Sequence, residues 1–279
     1  MTLQSIYTKI KDALNSTGIE DSSFEAKLIL KRYLNISDSE FLTLYNCEIE
    51  KEAELLIEKA VNKRKERYPL QYILGEWDFY KYTFKVGEGV LIPRSDTEIL
   101  VETALEYLKD VENPQVLDLC AGSGCIGISI AKDFPQASVT MVEKFDNAFY
   151  YLEQNVKLNS VKNAKIIRGD VLLGDGSDGV YDLIVSNPPY IPPDEMTIIS
   201  PETNFEPETA LLGGEDGMLF YKAIIENYKQ SLKLDGMLCF EVGINEDEAV
   251  ANLLKEALFE KIAVIKDLNG IERVVTAIK

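Results

Sequence analysis

The sequence contains no histidine among its 279 residues and only four cysteines. Histidine is the commonest metal ligand, and its unperturbed pKa is the one that lies near neutrality, so neither a histidine-ligated metal nor a histidine general base is available. The gap between Cys120 and Cys125 does not match the paired spacing of a zinc site, and neither Cys47 nor Cys239 has a nearby cysteine. We therefore predict no metal site and reduced thiols, as in cytoplasmic proteins.

Positive charge is also scarce, with 29 basic against 47 acidic residues and a net charge of −18. A phosphate backbone would be repelled at long range, which argues against nucleic acid as a direct partner and favours a protein substrate. No apolar run approaches about 18 residues, and the first residues do not form a basic segment followed by an apolar one. We therefore expect a cytoplasmic protein with no membrane partner.

Proline is absent before Pro69, and Gly18 is the only glycine before that point. Apolar residues recur there at helical spacing, which predicts a helical bundle over residues 1–70. Ser22 and Glu25 have the spacing of a capping box, and Gly18 is placed to end the first helix. The pattern is carried by Ile6, Ile10, Leu14, Leu28, Ile29, Tyr33, Leu34, Ala53, Leu56, Ile57, Ala60 and Val61.

The most informative segment is Asn187-Pro188-Pro189-Tyr190, which directly follows the apolar run 181–186. Ligands of open α/β sheets bind where strands end, and two prolines make such a loop stiff and leave its carbonyls unpaired. We predict that the Asn187 side-chain oxygen and the Pro188 carbonyl accept the two hydrogens of an –NH2 group, beside the flat ring of Tyr190. The alternative is a rigid turn without a ligand.

A second motif, Cys120-Ala121-Gly122-Ser123-Gly124 and onward to Gly127, follows the predicted strand 115–119. Small residues let the backbone approach a ligand, and the amides of the following helix point toward it. The glycines alone match a pattern shared with nicotinamide enzymes. Asp118 at the strand end favours instead a cationic ligand, because a carboxylate stabilises the ammonium and sulfonium of S-adenosylmethionine.

Two further predicted strands, 138–142 and 165–168, also end at acidic residues. Glu143 is placed to accept both hydroxyls of a ribose. Asp170 is placed to accept from an adenine amino group, with Val171 covering the ring. Each is also compatible with an exposed carboxylate at a strand end.

Together these motifs resemble the class I S-adenosylmethionine-dependent methyltransferases that act on planar amino groups. The resemblance narrows to the HemK family, the protein-(glutamine N5) methyltransferases of peptide chain release factors, and runs from about residue 65 to the C-terminus. The family usually has Gly-Thr at Cys120-Ala121 and Asp at Glu143. The segments that narrow it are 69–75, Phe79-Tyr80, 90–94, Thr97-Glu98, 205–207, Ala210-Leu211 and 213–217.

The resemblance implies an α/β fold with the Rossmann-like, seven-stranded sheet of class I methyltransferases, including one antiparallel strand. We predict three parts: a helical domain over 1–70, a β-hairpin linker over 71–94, and the methyltransferase domain over 95–279. The resemblance implies that the helical domain engages the substrate, and the alternative is a structural cap on the catalytic domain. Asn269-Gly270 is a hairpin turn signal between the last two predicted strands, and residues 191–217 form a long loop of the kind found in lids. If the hairpin packs on the strand ends, Phe79, Tyr80 and Arg94 lie near the site, although a plain packed hairpin explains the two aromatics better.

The family implies methyl transfer to the glutamine amide of the Gly-Gly-Gln loop of release factors in translation termination. An amide nitrogen is a poor nucleophile, so orientation by Asn187 and Pro188 is predicted to supply much of the catalysis, without a general base. With no histidine, we expect a flat pH profile near neutrality. The alternatives are an amino-methyltransferase acting on nucleic-acid bases, a nicotinamide-dependent oxidoreductase, and a non-enzymatic adaptor. The Asn-Pro-Pro-Tyr segment and Asp118 disfavour the oxidoreductase, and the net charge disfavours the methyltransferase acting on nucleic-acid bases.

Overall fold

The computed structural model of the protein describes residues 1–176 and 178–279. The chain divides into two compact units, one of residues 1–76 with 200–205 and one of residues 77–199 with 206–279. The domain boundaries at residues 70 and 94 remain predictions. In the described ranges, none of the helices combines the length and the apolar character needed to cross a bilayer.

The first unit is helical. Its amphipathic pattern places Ile6, Ile10 and Leu14 of the first helix in the core, together with Ile29 and Ile57, whereas Leu56 is exposed. The helices are α1 (Leu3–Asn15), α2 (Ser22–Leu34), α3 (Asp38–Thr43), α4 (Lys51–Lys65) and α5 (Leu70–Leu74).

The capping box predicted at Ser22 and Glu25 is wrong. Asp21 occupies the N-cap of α2 and makes no side-chain cap, while Glu25 instead forms a buried bidentate ion pair with Arg64 of α4, at 2.6 and 3.0 Å. Glu202 also bonds to Arg64, at 3.0 Å, which ties residues 200–205 to the first unit. The local pattern failed here because an arginine far away in sequence competes for the carboxylate.

A two-stranded antiparallel hairpin, β1 (Glu76–Phe79) and β2 (Tyr82–Lys85), follows α5. Its aromatic residues Phe79 and Phe84 are buried and meet edge to face, with ring centroids 6.0 Å apart. Phe79 belongs to the core, as expected for an ordinary packed hairpin.

A seven-stranded sheet organises the second unit, in the order β5-β4-β3-β6-β7-β9-β8. Strands β3 to β7 pair in parallel, and β9 is antiparallel to both β7 and β8. This is the predicted α/β fold. The strands are β3 (Gln115–Leu119), β4 (Ser138–Glu143), β5 (Ala164–Arg168), β6 (Tyr181–Ser186), β7 (Leu232–Glu241), β8 (Glu260–Lys266) and β9 (Glu272–Ile278).

Helices cover both faces of this sheet. Because side chains alternate along a strand, Val116 packs in one apolar cluster while Leu117 and Leu119 pack in the other. Strand order reverses at β3, which lies between β4 and β6, and ligands of such sheets bind beyond the strand ends at this point. The helices are α6 (Glu98–Leu108), α7 (Cys125–Asp133), α8 (Asp146–Leu158), α9 (Leu219–Tyr228) and α10 (Asp247–Glu256).

Candidate active site

A cleft of about 920 Å³, including its open mouth, lies at the carboxyl ends of β3, β4, β5 and β6. Four of the predicted site residues do not line this cleft: Asp118, Gly124, Pro188 and Tyr190. The predicted residues that do line it are Cys120, Ala121, Gly122, Ser123, Glu143, Asp170, Val171, Asn187 and Pro189.

The loop between β3 and α7 turns sharply because three of its residues adopt the left-handed backbone conformation: Cys120 at φ +59°, Gly122 at +55° and Gly124 at +81°. Gly124 is the N-cap of α7, and a Cβ atom there would lie 2.4 Å from Leu152, so the position requires glycine. Cys120 carries a side chain in a conformation that costs non-glycine residues roughly 1–2 kcal/mol. The loop thereby directs the first amides of α7 toward the cleft.

Glu143 ends β4 and is 6% exposed. Its Oε2 accepts the backbone N–H of Gly122 and its Oε1 accepts that of Phe145, both at 2.8 Å. Burial raises the pKa of this carboxyl, and the backbone hydrogen bonds act against that rise. A carboxylate has about four acceptor positions, so each oxygen can accept a further hydrogen bond from a ligand hydroxyl.

Asp118 is fully buried behind the Gly-rich loop and does not face the cleft directly. Its Oδ2 accepts the backbone N–H of Gly127 at 2.9 Å, and among the described residues Oδ1 has no hydrogen-bond partner. Burial raises the pKa of Asp118 to about 8. The side chain therefore holds the first turn of α7 against β3.

Asp170 and Val171 follow β5 and border the cleft. Asp170 Oδ1 accepts the N–H of Leu172 at 3.0 Å, and Oδ2 pairs with Lys144 at 2.8 Å. Val171 is buried in the core beneath the sheet. These contacts set the position of the carboxylate and give the cleft an apolar wall.

The Asn-Pro-Pro-Tyr loop leaves β6 with Asn187 and Pro189 on the cleft. The Asn187 Nδ2 donates to Thr97 Oγ1 at 3.2 Å. Tyr190 does not face the cleft and packs closely against Gly213 and Gly243. A Cβ atom on Gly213 would lie 2.5 Å from the Tyr190 Cα, and a Cβ atom on Gly243 would lie 3.1 Å from the Tyr190 ring. Burial raises the pKa of Tyr190 far above its usual value. The tyrosine thus anchors the loop.

Several residues around the cleft were not singled out from the sequence as site residues. Arg94, which was expected near the site only if the hairpin packs on the strand ends, lines the cleft. It is paired with Glu206 of the long loop, whose Oε2 also accepts the N–H of Ile92 at 2.9 Å. The contribution of the long loop was signalled by its length, its prolines and glycines, and its segments 205–207, 210–211 and 213–217 that carry the family resemblance. Further lining residues are Leu91, Pro93, Thr97, Phe145, Pro207, Thr209, Ala210 and Phe220.

Three features together define a class I methyltransferase. They are a parallel sheet whose strand order reverses at β3 and which includes one antiparallel strand, a Gly-rich loop after β3, and an acidic residue at the end of β4. Residues 95–200 match the family model described as Methyltransferase small domain, and residues 5–75 match the one described as PrmC N-terminal domain.

Curated relatives narrow this class. The release factor glutamine methyltransferase of Thermodesulfovibrio yellowstonii is 41% identical over 95% of this chain and 95% of its own length. The protein of the same name from Fusobacterium nucleatum subsp. nucleatum is 38% identical over 98% of this chain and 78% of its own length.

A solved protein-(glutamine-N5) methyltransferase (release factor-specific) from Alicyclobacillus acidocaldarius is 31% identical, with a TM-score of 0.44 over 70% of this chain and 99% of that one. The chain belongs to the release factor glutamine methyltransferase family. It is an enzyme, and its methyl donor is S-adenosylmethionine.

Proposed function

We propose that this protein methylates the side-chain amide nitrogen, N5, of the glutamine in the Gly-Gly-Gln loop of peptide chain release factors. The observation that carries the proposal is the Asn187 carboxamide on the wall of the cleft, with its nitrogen bonded to Thr97. That bond leaves the carboxamide oxygen as the atom presented to the cleft. An oxygen there accepts a hydrogen from a planar –NH2 group.

The residues of the cleft fit S-adenosylmethionine, whose role when bound is to supply an electrophilic methyl group on a sulfonium. We propose that Glu143 holds the ribose hydroxyls, that Asp170 accepts from the adenine amino group, and that Val171 covers the ring. Cys120, Ala121, Gly122 and Ser123 line the remainder, and we propose that Gly124, the N-cap of α7, shapes the loop that holds the cofactor. Asp118 lies behind this loop and burial raises its pKa to about 8, which keeps it protonated near neutrality. We therefore propose that it supports the cofactor site by holding α7 in place.

A glutamine amide needs positioning because its nitrogen lone pair is delocalised into the carbonyl. In the proposed complex the Asn187 oxygen accepts one N–H group. The Pro188 carbonyl, although Pro188 does not line the cleft in this structure, is proposed to accept the other, while Pro189 and Tyr190 keep the loop stiff. Near-attack positioning of this kind supplies up to about 7–11 kcal/mol. These acceptors bind the hydrogens more strongly as positive charge develops on nitrogen, which stabilises the transition state selectively.

The helical segment 1–70 is proposed to engage the release factor, and the hairpin segment 71–94 to link it to the catalytic domain. Release factors work in translation termination, so the proposal places the enzyme in the cytoplasm. A protein substrate is also consistent with the net charge of −18, since polyanions are repelled at long range. We propose that neither nucleic acid nor a membrane is a direct partner.

The test is to incubate the protein with radiolabelled S-adenosylmethionine and a purified release factor, then map the label by mass spectrometry. The matched control is the same release factor with its loop glutamine replaced by alanine. We expect one methyl group on the loop glutamine and none in the control. Parallel reactions with DNA and RNA test the alternative of a base amino-methyltransferase, and label found only there would overturn the proposal.

A further inference from the structure

A buried carboxylate lies behind the Asn-Pro-Pro-Tyr loop. Glu241 ends β7, which runs beside β6 with Phe240 in register with Ser186, the residue before Asn187. Its side chain is 2% exposed, and among the described residues the Oε2 atom has no hydrogen-bond partner. A buried carboxylate with an unpaired oxygen costs stability, so its presence calls for a functional reason.

Thr97 connects this carboxylate to the loop. It immediately precedes α6, is 2% exposed, and its Oγ1 accepts the Nδ2 proton of Asn187 at 3.2 Å. Hydrogen bonding from Thr97 and Asn187 favours the ionised form of Glu241. Asn187 and Thr97 therefore both donate toward the carboxylate, and Asn187 also donates to Thr97.

The direction of this chain follows from the number of protons. A threonine hydroxyl has one proton, so when it donates to Glu241, only its lone pairs are available to Asn187. Asn187 must then present its NH2 group to Thr97, and its oxygen points to the cleft. If Thr97 donated to Asn187 instead, the carboxamide would turn over and present NH2 to the cleft. Two NH2 groups facing each other make no hydrogen bond.

We infer that Glu241 is a positioning residue that acts both directly and through Thr97 to fix which end of the Asn187 carboxamide faces the substrate. The inference rests on the proposed function, because the oxygen matters only when the acceptor is an amide or another planar –NH2 group. Neither Glu241 nor Thr97 has to touch the reacting atoms.

The first experiment removes the hydroxyl without changing its volume. Thr97→Val should lower kcat by about 10- to 100-fold, as for loss of one preorganised polar group, with the dissociation constant of S-adenosylmethionine within about twofold of wild type. Thr97→Ser keeps the hydroxyl and should retain most of the turnover. The matched control is Thr103→Val, on α6, which should behave as wild type. Within the part of the chain that the structure describes, the Thr103 hydroxyl bonds only to the Ile99 carbonyl.

A second measurement does not depend on activity. In protein labelled with ¹⁵N-asparagine, the Asn187 side-chain NH2 signals, assigned by their absence in Asn187→Ala, should exchange slowly with solvent in the wild type. The same signals should exchange faster in Thr97→Val and stay slow in Thr103→Val. If the wild type failed to methylate release factors, the proposed function would be wrong, while this exchange would still test the orientation.

The third measurement uses pH. Burial raises the pKa of Glu241 to about 7, so kcat should rise with pH as the carboxyl ionises and favours the productive direction. Glu241→Gln should lower kcat and remove this rise. The neighbouring charges are Arg273 and Asp96, which have opposite effects on that pKa. The pKa values of Tyr190, Tyr221 and Cys125, which also neighbour Glu241, are raised by burial, so these groups stay protonated across the rise.

Wild-type turnover in folded Thr97→Val would overturn the inference, as would an equal loss in Thr97→Ser and Thr97→Val. Rapid exchange of the Asn187 NH2 group in the wild type would do so as well. Wild-type turnover with the same pH-dependent rise in folded Glu241→Gln would also overturn it. Should that variant not fold, the absence of the rise in the wild type would overturn the role of Glu241.

Discussion

The Oε2 atom of Glu143 accepts the backbone N–H of Gly122 at 2.8 Å, which joins the end of β4 to the Gly-rich loop after β3. The other carboxylate oxygen holds the N–H of Phe145. One side chain therefore fixes the backbone on both sides of the proposed ribose position. Its removal affects the ligand directly and also loosens the loop.

Replacement of Glu143 by alanine should weaken S-adenosylmethionine binding by about 2–4 kcal/mol, because two charge-assisted hydrogen bonds are lost. Isothermal calorimetry measures the change. Glu143→Gln keeps the shape and one oxygen acceptor, so its loss should be smaller. Unchanged affinity in Glu143→Ala would remove the residue from the cofactor site, and NAD should not bind to any of these proteins.

Asn187→Ala should leave the fold and the cofactor affinity nearly unchanged while lowering kcat by about 10²-fold, since one preorganised acceptor at the reacting centre is lost. Asn187→Asp retains an oxygen acceptor and should keep partial activity. Single-turnover methyl transfer to a release factor measures both variants. Wild-type turnover in Asn187→Ala would contradict the positioning role.

Asp118 should make the protein less stable as pH rises. Its folded-state pKa is about 8 against an ordinary value of 3.8, so the folded state binds the extra proton between those values. The stabilisation is complete below pH 3.8 and is lost as pH rises through 8. Between about pH 5 and 8, the free energy of unfolding should fall less in Asp118→Asn than in the wild type, by a few kcal/mol.

Urea denaturation at several pH values measures this change. Asp216→Asn is the control, because a hydrogen bond from Lys222 lowers the pKa of Asp216 and this exposed carboxyl titrates below the range. Burial also raises the pKa values of Glu241 and Glu246 to about 7, so the free energy of unfolding should still fall with rising pH in every variant. If the free energy of unfolding changed equally with pH in the wild type and in Asp118→Asn, Asp118 would not take up a proton in this range.

Backbone strain at Cys120 should reverse the usual order of alanine and glycine. At φ +59° glycine has no steric penalty, so Cys120→Gly should be more stable than Cys120→Ala by about 1 kcal/mol. The same pair at Cys239, buried in β7, is the control, and there alanine should be the more stable. Chemical denaturation compares the four proteins. A more stable Cys120→Ala would show that the loop relaxes away from the left-handed conformation.

The raised pKa of Glu241 argues against the flat pH profile expected from the missing histidine. Burial gives Glu241 a pKa of about 7 beside Thr97 and Asn187, so a carboxyl group supplies a titration near neutrality. Asp216 in the long loop has a lowered pKa instead, because a hydrogen bond from Lys222 favours its ionised form. Histidine content alone could not predict the profile because burial shifts carboxyl pKa values by several units.

Local sequence determined the strands and the loops that follow them. The apolar runs 115–119 and 181–186 are strands over those residues, since each is bounded by glycine, proline or asparagine residues that end a strand. Family motifs located most of the cleft lining in the same way. Such features depend on neighbours in sequence, so a pattern can predict them.

Tertiary structure decided which polar groups meet. Asp118 bonds to Gly127 behind the loop, Glu25 pairs with Arg64 instead of capping its helix, and Tyr190 packs away from the cleft. Glu241 comes close to Asn187 only because β6 and β7 are neighbours in the sheet. A carboxylate's partner, burial and pKa depend on segments far apart in sequence, and these become neighbours only when the chain folds.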